Sequence, residues 1–254
     1  TLTFGKVKQE VKKKIESRLQ QFKGGNSVKL LLVEDNELNQ KLAMKVLQNF
    51  GFQVELAANG RIAVEKVQKS TFDVILMDLQ MPEMDGYQAT EFIRQELKIN
   101  TPIIAMTAHS LVGEKDKCMS IGMNDYIPKP FSPAILYDKI VSFSNPEGKA
   151  APGTEIETVS NGLVDLTYLR ELSGGSAEFE TEMIELYLNQ TPVELEILEK
   201  AVQAEDYPGI KSTAHKLKSS FSLMGVNENG ILPWMEKEAV LKTARPDDER
   251  FDKL

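Results

Sequence analysis

Between residues 28 and 143, apolar residues gather in short solid runs separated by amphipathic stretches. Leu30-Leu31-Leu32-Val33, Val74-Ile75-Leu76-Met77 and Ile103-Ile104-Ala105-Met106 contain no polar break. Unbroken runs suit strands buried on both faces, whereas a sheet with one wet face alternates. The pattern predicts strands at 28–33, 52–57, 73–77, 102–107 and 125–128. Helical periodicity fills 37–49, 60–69, 87–98, 111–121 and 132–142. Five strand–helix repeats imply an α/β fold: a doubly wound, five-stranded parallel sheet covered on both sides. In such sheets ligands bind beyond the carboxyl ends of the strands, at a topological switch point.

The flanking segments read differently. In residues 1–25, Thr1–Phe4 suggest a strand remnant. Val7, Val11, Ile15, Leu19 and Phe22 then form one stripe on a basic amphipathic linker helix, which ends at Gly24-Gly25. Residues 144–162 collect Pro, Gly, Ser and Thr and read as a flexible linker. Residues 163–254 carry helical patterns only, at about 165–172, 177–204, 207–224 and 228–243. Pro192 is expected to bend the second of these. Pro233 is expected to mark the start of the fourth, or a kink in it. Short loops between amphipathic helices imply an all-α antiparallel four-helix bundle. The expected division is thus 1–25, a globular domain over 26–143, a linker over 144–162, and a helical domain over 163–254.

Charge and composition narrow the partners. The net charge of -8 is uneven, since residues 1–25 carry seven Lys/Arg against two Glu. Both globular parts are acidic, which argues against nucleic acid. No apolar run approaches the roughly 18 residues of a membrane span, so no membrane contact is expected of this stretch. The first residue is Thr1, and we expect a piece excised from a longer protein whose other parts can be membrane-bound. The single cysteine, Cys118, excludes an internal disulfide. It reads as a buried thiol in a reducing, cytoplasmic setting.

Chemistry-bearing residues fall where the predicted strands stop. Glu34 and Asp35 follow the first strand, Asp78 the third, Thr107 the fourth and Lys129 the fifth. Asp35 and Asp78 can offer carboxylates to Mg²⁺, which prefers hard oxygen ligands, and Glu34 can hold a metal-bound water. A divalent cation would also relieve repulsion among crowded acids. An ionised carboxylate can take a phosphoryl group as a nucleophile. Lys129 and the Thr107 hydroxyl can bind the charge on the transferring group.

The helical part offers His215, within Thr213-Ala214-His215-Lys216-Leu217-Lys218-Ser219-Ser220. On a helical wheel Ile210, Ala214, Leu217, Phe221 and Met224 share one face, and His215 points away from it. The expectation is an exposed imidazole, nucleophilic near neutral pH. Lys218 lies one turn on, where it can attract a phosphoryl group. Ser219 leaves room for a docking partner.

Four segments together resemble the receiver domain of bacterial response regulators and hybrid sensor kinases. They are Leu31-Leu32-Val33-Glu34-Asp35-Asn36; Met77-Asp78 with Met81-Pro82-Glu83-Met84-Asp85-Gly86; Met106-Thr107-Ala108; and Lys129-Pro130-Phe131. The resemblance implies a flavodoxin-like fold with Asp78 as phosphoacceptor. It implies Mg²⁺ on Asp35 and Asp78, helped by the Gln80 carbonyl, with Glu34 acting through water. Lys129 would pair with the phosphoryl group, Thr107 would couple it to switching, and Tyr126 would be the switch aromatic. Gln80 and His109 would occupy positions that tune hydrolysis.

Ala214-His215-Lys216-Leu217-Lys218-Ser219-Ser220, followed by Gly225, resembles a histidine phosphotransfer domain. The two resemblances imply a phosphorelay: an upstream histidine kinase domain, then Asp78, then His215, then the receiver of a downstream response regulator. No glycine-rich phosphate loop is present, so ATP-driven autophosphorylation is expected only of a parent histidine kinase. Two rivals remain. A metal-dependent phosphatase would need an acid where Gln80 stands, and a non-phosphorylated interaction module would use the same face only to bind partners.

Overall fold

The structure, a computed structural model, describes residues 28–107, 114–144, 164–227 and 230–241. The expected helix over 1–25, the linker over 144–162 apart from Ser144, the residues after 241 and His109 lie outside the described residues. Five strands form one sheet: β1 (Lys29–Val33), β2 (Gln53–Ala57), β3 (Val74–Asp78), β4 (Ile103–Thr107) and β5 (Asp125–Pro128). Their order is β2-β1-β3-β4-β5 and every pairing is parallel. The order reverses direction beside β1 and β3, which places the ligand crevice at their carboxyl ends.

Helices α1 (Glu37–Asn49), α2 (Gly60–Lys69), α3 (Gly86–Gln95), α4 (Glu114–Ser120) and α5 (Pro133–Ser144) follow the strands in turn. Alternation along each strand sends successive side chains to opposite faces. Leu30, Leu32, Val74, Leu76, Ile104 and Met106 pack beneath α1 and α5. Leu31, Val33, Ile75, Met77, Ile103 and Ala105 pack on the other face beneath α2 and α3, together with buried Cys118 of α4. Both faces are therefore dry, which is why the strand sequences carry no polar break.

The remainder is helical: α6 (Thr167–Ser173), α7 (Ala177–Gln203), α8 (Tyr207–Leu223) and α9 (Ile231–Leu241). Pro192 sits inside α7 without ending it. Pro233 falls in the first turn of α9, where backbone N–H groups lack intrahelical acceptors and a proline costs little. One core joins Leu198, Val202, Ile210, Leu217, Phe221, Leu232 and Met235. A second group is continuous with the core under α1 and α5: Leu169, Leu172, Phe179 and Met183 belong to the same cluster as Leu42 and Val46. The helical unit thus packs on the α1 side of the sheet. Among the described residues, no helix is long and apolar enough to cross a membrane.

Candidate functional site

Strand register brings the acids together. Val33 pairs with Met77, so Glu34 and Asp78 leave neighbouring strands at the same level. Glu34, Asp35 and Asp78 each offer a carboxylate oxygen, and these oxygens all lie within 4.8 Å of one another. Asp78 is 1% exposed and Glu34 2%. Thr107 ends β4 and is buried, and its carbonyl accepts from the Lys129 backbone N–H at 2.6 Å. That bond sets the start of the Lys129 side chain. Its Nζ reaches Glu34 Oε2 at 2.6 Å and Asp78 Oδ2 at 2.7 Å. The Gln80 N–H points to Asp78 Oδ1 at 3.4 Å, a weak contact. Tyr126 is half-buried, with the Lys115 and Lys139 ammoniums 5.8 and 5.7 Å from its ring centre.

The loop after β3 owes its shape to Asp85-Gly86. Asp85 caps α3: its side chain accepts from Gln88 N–H at 2.8 Å, while Gln88 Oε1 accepts from Asp85 N–H at 3.1 Å. Gly86 lies against the backbone of Asp78, and a Cβ added there would come 2.1 Å from the Asp78 carbonyl oxygen. Only glycine permits that approach.

The cluster is short of positive charge. Burial raises the Glu34 carboxyl above its ordinary value against the pull of Lys129, and Asp78 adds repulsion. Burial likewise raises Asp35, opposed by Lys216 and reinforced by Glu34. Burial alone would lower the Lys129 ammonium, but Asp78 and Glu34 together outweigh it and hold the group above its usual value. Three carboxylates thus face two ammoniums, and an all-oxygen donor set of this kind fits a hard divalent cation.

Helix α8 lies across this site. Lys216 Nζ is 3.1 Å from Asp35 Oδ2. Asn36 caps α1 through its carbonyl oxygen, accepting from Leu38 N–H at 2.9 Å, and turns its amide to Ser220 Oγ at 3.0 Å. Lys41 with Glu182 at 2.9 Å and Gln190 with Glu37 at 2.7 Å extend the contact, and the Tyr168 hydroxyl donates to the Phe131 carbonyl at 3.0 Å. A cavity of about 230 Å³ remains at the junction; Glu34 and Lys129 line it from the sheet, and Lys218, Ser219 and Ser222 from α8.

His215 departs from expectation, since it is 4% exposed. Ala214, Leu217 and Phe221 are in the helical core, where the wheel placed them. His215 is nevertheless buried, with Glu236 of α9 against its ring. Glu236 Oε1 lies 2.8 Å from His215 Nδ1, and its Oε2 lies 3.2 Å from Lys218 Nζ. A carboxylate accepts only, so Nδ1 carries a proton, and in the neutral ring Nε2 keeps its lone pair. Nε2 is buried and has no hydrogen-bond partner among the described residues. Lys218 is tied to Glu236 as well as lining the cavity, and it is Lys216 that reaches the acids. Asn36, Lys216 and Glu236 escaped the sequence reading. Glu236 carries one signal there, an acid directly after the largely apolar Ile231-Leu232-Pro233-Trp234-Met235.

Two family models match this chain: the response regulator receiver domain over residues 30–141 and the Hpt domain over residues 182–229. The signal transduction histidine-protein kinase BarA of Escherichia coli (strain K12) is 32% identical over 203 residues, which cover 78% of this chain and 22% of that protein. Sensor protein GacS of Pseudomonas syringae pv. syringae is 31% identical over 211 residues, covering 78% of this chain and 23% of that protein. The chain therefore spans less than a quarter of the length of these relatives. Among solved structures, the receiver domain of sensor histidine kinase PA1611 from Pseudomonas aeruginosa PAO1 is 42% identical, with 47% of this chain and 98% of that one covered and a TM-score of 0.44. That structure has a magnesium ion coordinated in its active-site cleft. The acids at the strand ends fall inside the first matched region, and the histidine helix falls inside the second. The chain belongs to the proteins of two-component phosphorelay signalling, in which a receiver domain is followed by an Hpt domain.

Proposed function

We propose that Asp78 and His215 exchange a phosphoryl group across the junction of the two domains, as the inner steps of a relay fed by an upstream phosphohistidine. One observation carries this reading. Lys129 of the receiver and Lys218 of the Hpt helix line a single cavity, with Glu34 of the acid cluster on one side and Ser219, one turn from His215, on the other. A small anionic group between them would meet a lysine from each domain.

The residues suit each step. A carboxylate oxygen of Asp78 attacks the phosphorus of the incoming phosphohistidine; a P–O bond forms, the N–P bond breaks, and the imidazole leaves with the electron pair. Nε2 of His215 then attacks that phosphorus; an N–P bond forms, the P–O bond breaks, and the Asp78 carboxylate leaves. Nε2 needs no deprotonation because Glu236 holds the ring proton on Nδ1. The positive charge that develops on the ring lies beside the Glu236 carboxylate, the arrangement that supports histidine in hydrolytic triads. Lys129 is held against Asp78 before any phosphoryl group arrives.

Mg²⁺ would be held by Asp35 and Asp78, with Glu34 and the Gln80 carbonyl beside them, and would offset charge on the phosphoryl oxygens. The donor set supports this: three crowded oxygen acids, two of them raised by burial. The partners are a histidine kinase domain upstream and a response-regulator receiver downstream, in a cytoplasmic setting within a parent hybrid sensor kinase. We assign the receiver to 26–143 and the Hpt domain to 163–254.

The test is incubation with Mg²⁺ and a small phosphodonor, then intact mass and peptide mapping beside Asp78→Asn and His215→Ala. Acyl phosphate is lost in alkali and phosphohistidine in acid. Label on His215 that requires Asp78 establishes the relay. No label on either residue leaves a docking module and refutes it.

A further inference from the structure

Lys216 follows His215 directly, yet its ion pair crosses the domain boundary. Its Nζ is 3.1 Å from Asp35, and its carbonyl accepts from the Asn36 amide at 3.4 Å. Asp35 is also one of the three carboxylates gathered at the strand ends. An ammonium and a divalent cation cannot both sit closely on one carboxylate without repelling each other. A second place for the ammonium lies nearby, on the Hpt side. Glu194 of α7 has a buried Oε2 with no hydrogen-bond partner among the described residues. Burial raises this carboxyl, while the Lys216 charge pulls it back down. The Asp35 charge raises it further, so Glu194 and Asp35 face the same ammonium.

We propose that Lys216 competes with a divalent cation for Asp35 and that Glu194 takes the lysine when the cation binds, so cation binding at the receiver and seating of the Hpt helix oppose each other. The exchange turns an ion pair between domains into one within the Hpt domain. A contact independent of Asp35, Asn36 with Ser220, remains, so the seating loosens rather than ends. Linkage makes the effect reciprocal: whatever seats the Hpt helix weakens cation binding by the same factor. The inference rests on reading the acid cluster as a cation site.

The test uses the full chain and Mg²⁺ alone. Calorimetric titration gives the Mg²⁺ affinity. A zero-length carbodiimide cross-link between Lys41 and Glu182, read by peptide mapping, gives the seating. Removing one partly buried competitor is worth about three- to tenfold. Lys216→Met should bind Mg²⁺ more tightly by that factor, and Glu194→Gln should bind it more weakly. Shifts of opposite sign cannot both come from misfolding. Mg²⁺ should lower the cross-link yield in the parent chain and leave it unchanged in Lys216→Met. Equal Mg²⁺ affinities in the parent and Lys216→Met chains, or a yield indifferent to Mg²⁺ in the parent, overturn the inference and leave the cation site standing. No Mg²⁺ binding by any of the chains overturns the cation site, and the inference with it.

Discussion

Replacing Glu236 by alanine removes two contacts at once: the acceptor 2.8 Å from His215 Nδ1 and the partner 3.2 Å from Lys218 Nζ. In the proposed transfer a neutral ring becomes cationic as Nε2 bonds to phosphorus. The lost bond is thus one to a charged group, strongest when transfer is under way. Such bonds contribute roughly 1.5–3 kcal/mol, so phosphotransfer to His215 should slow about ten- to a hundredfold. Glu236→Gln keeps an accepting oxygen without the charge and should fall between. Stability alone does not separate a chemical role from a scaffolding one, since Glu236 is buried. The ring proton does. The chain has two histidines, so His109→Gln leaves a single imidazole in a long-range ¹H–¹⁵N spectrum. The Nδ1-protonated form should dominate in that background, and alanine at 236 should admit the other tautomer. Transfer at the original rate with the Nδ1 proton still in place would refute the reasoning. A slow variant with an unchanged tautomer and a lowered urea midpoint would reduce Glu236 to packing.

Lys129→Met should abolish phosphoryl acceptance and cost about 3–5 kcal/mol of stability at pH 7, because it strands two buried carboxylates. Glu34 titrates above 4.5 when folded, so its contribution is fully present below pH 4.5 and is lost as pH rises through the raised value; urea unfolding should show the variant's deficit widening from pH 4.5 to 7. Asn36→Ser keeps an oxygen to cap α1 but no amide for Ser220; receiver stability should hold within about 0.5 kcal/mol, while the Lys41–Glu182 cross-link weakens. Gly86→Ala drives a methyl into the Asp78 carbonyl; we expect a loss of about 1–3 kcal/mol by denaturant unfolding, with slower phosphorylation by a small-molecule donor.

What could be read in the sequence was whatever depends on neighbours along the chain. Asn36 and Asn59 accept from the first-turn amides of α1 and α2, and those two helices run 37–49 and 60–69, where periodicity placed them. The strand ends carrying Glu34, Asp78, Thr107 and Lys129 were legible because solid apolar runs stop there, and parallel register then forces them together. His215 fails this kind of reading. A helical wheel reports a side chain's direction relative to its own helix and nothing of the helices around it. Exposure depends on what lies opposite, and here Glu236 of α9 lies opposite, 21 residues further along the chain. The same limit hid Glu236, whose partner is a turn of a different helix. Sequence periodicity therefore locates the residues proposed to react, whereas the groups that would tune them are placed by tertiary contact. Substitutions at Asn36, Glu194, Lys216 and Glu236 should for that reason change rates and affinities more than they change the fold.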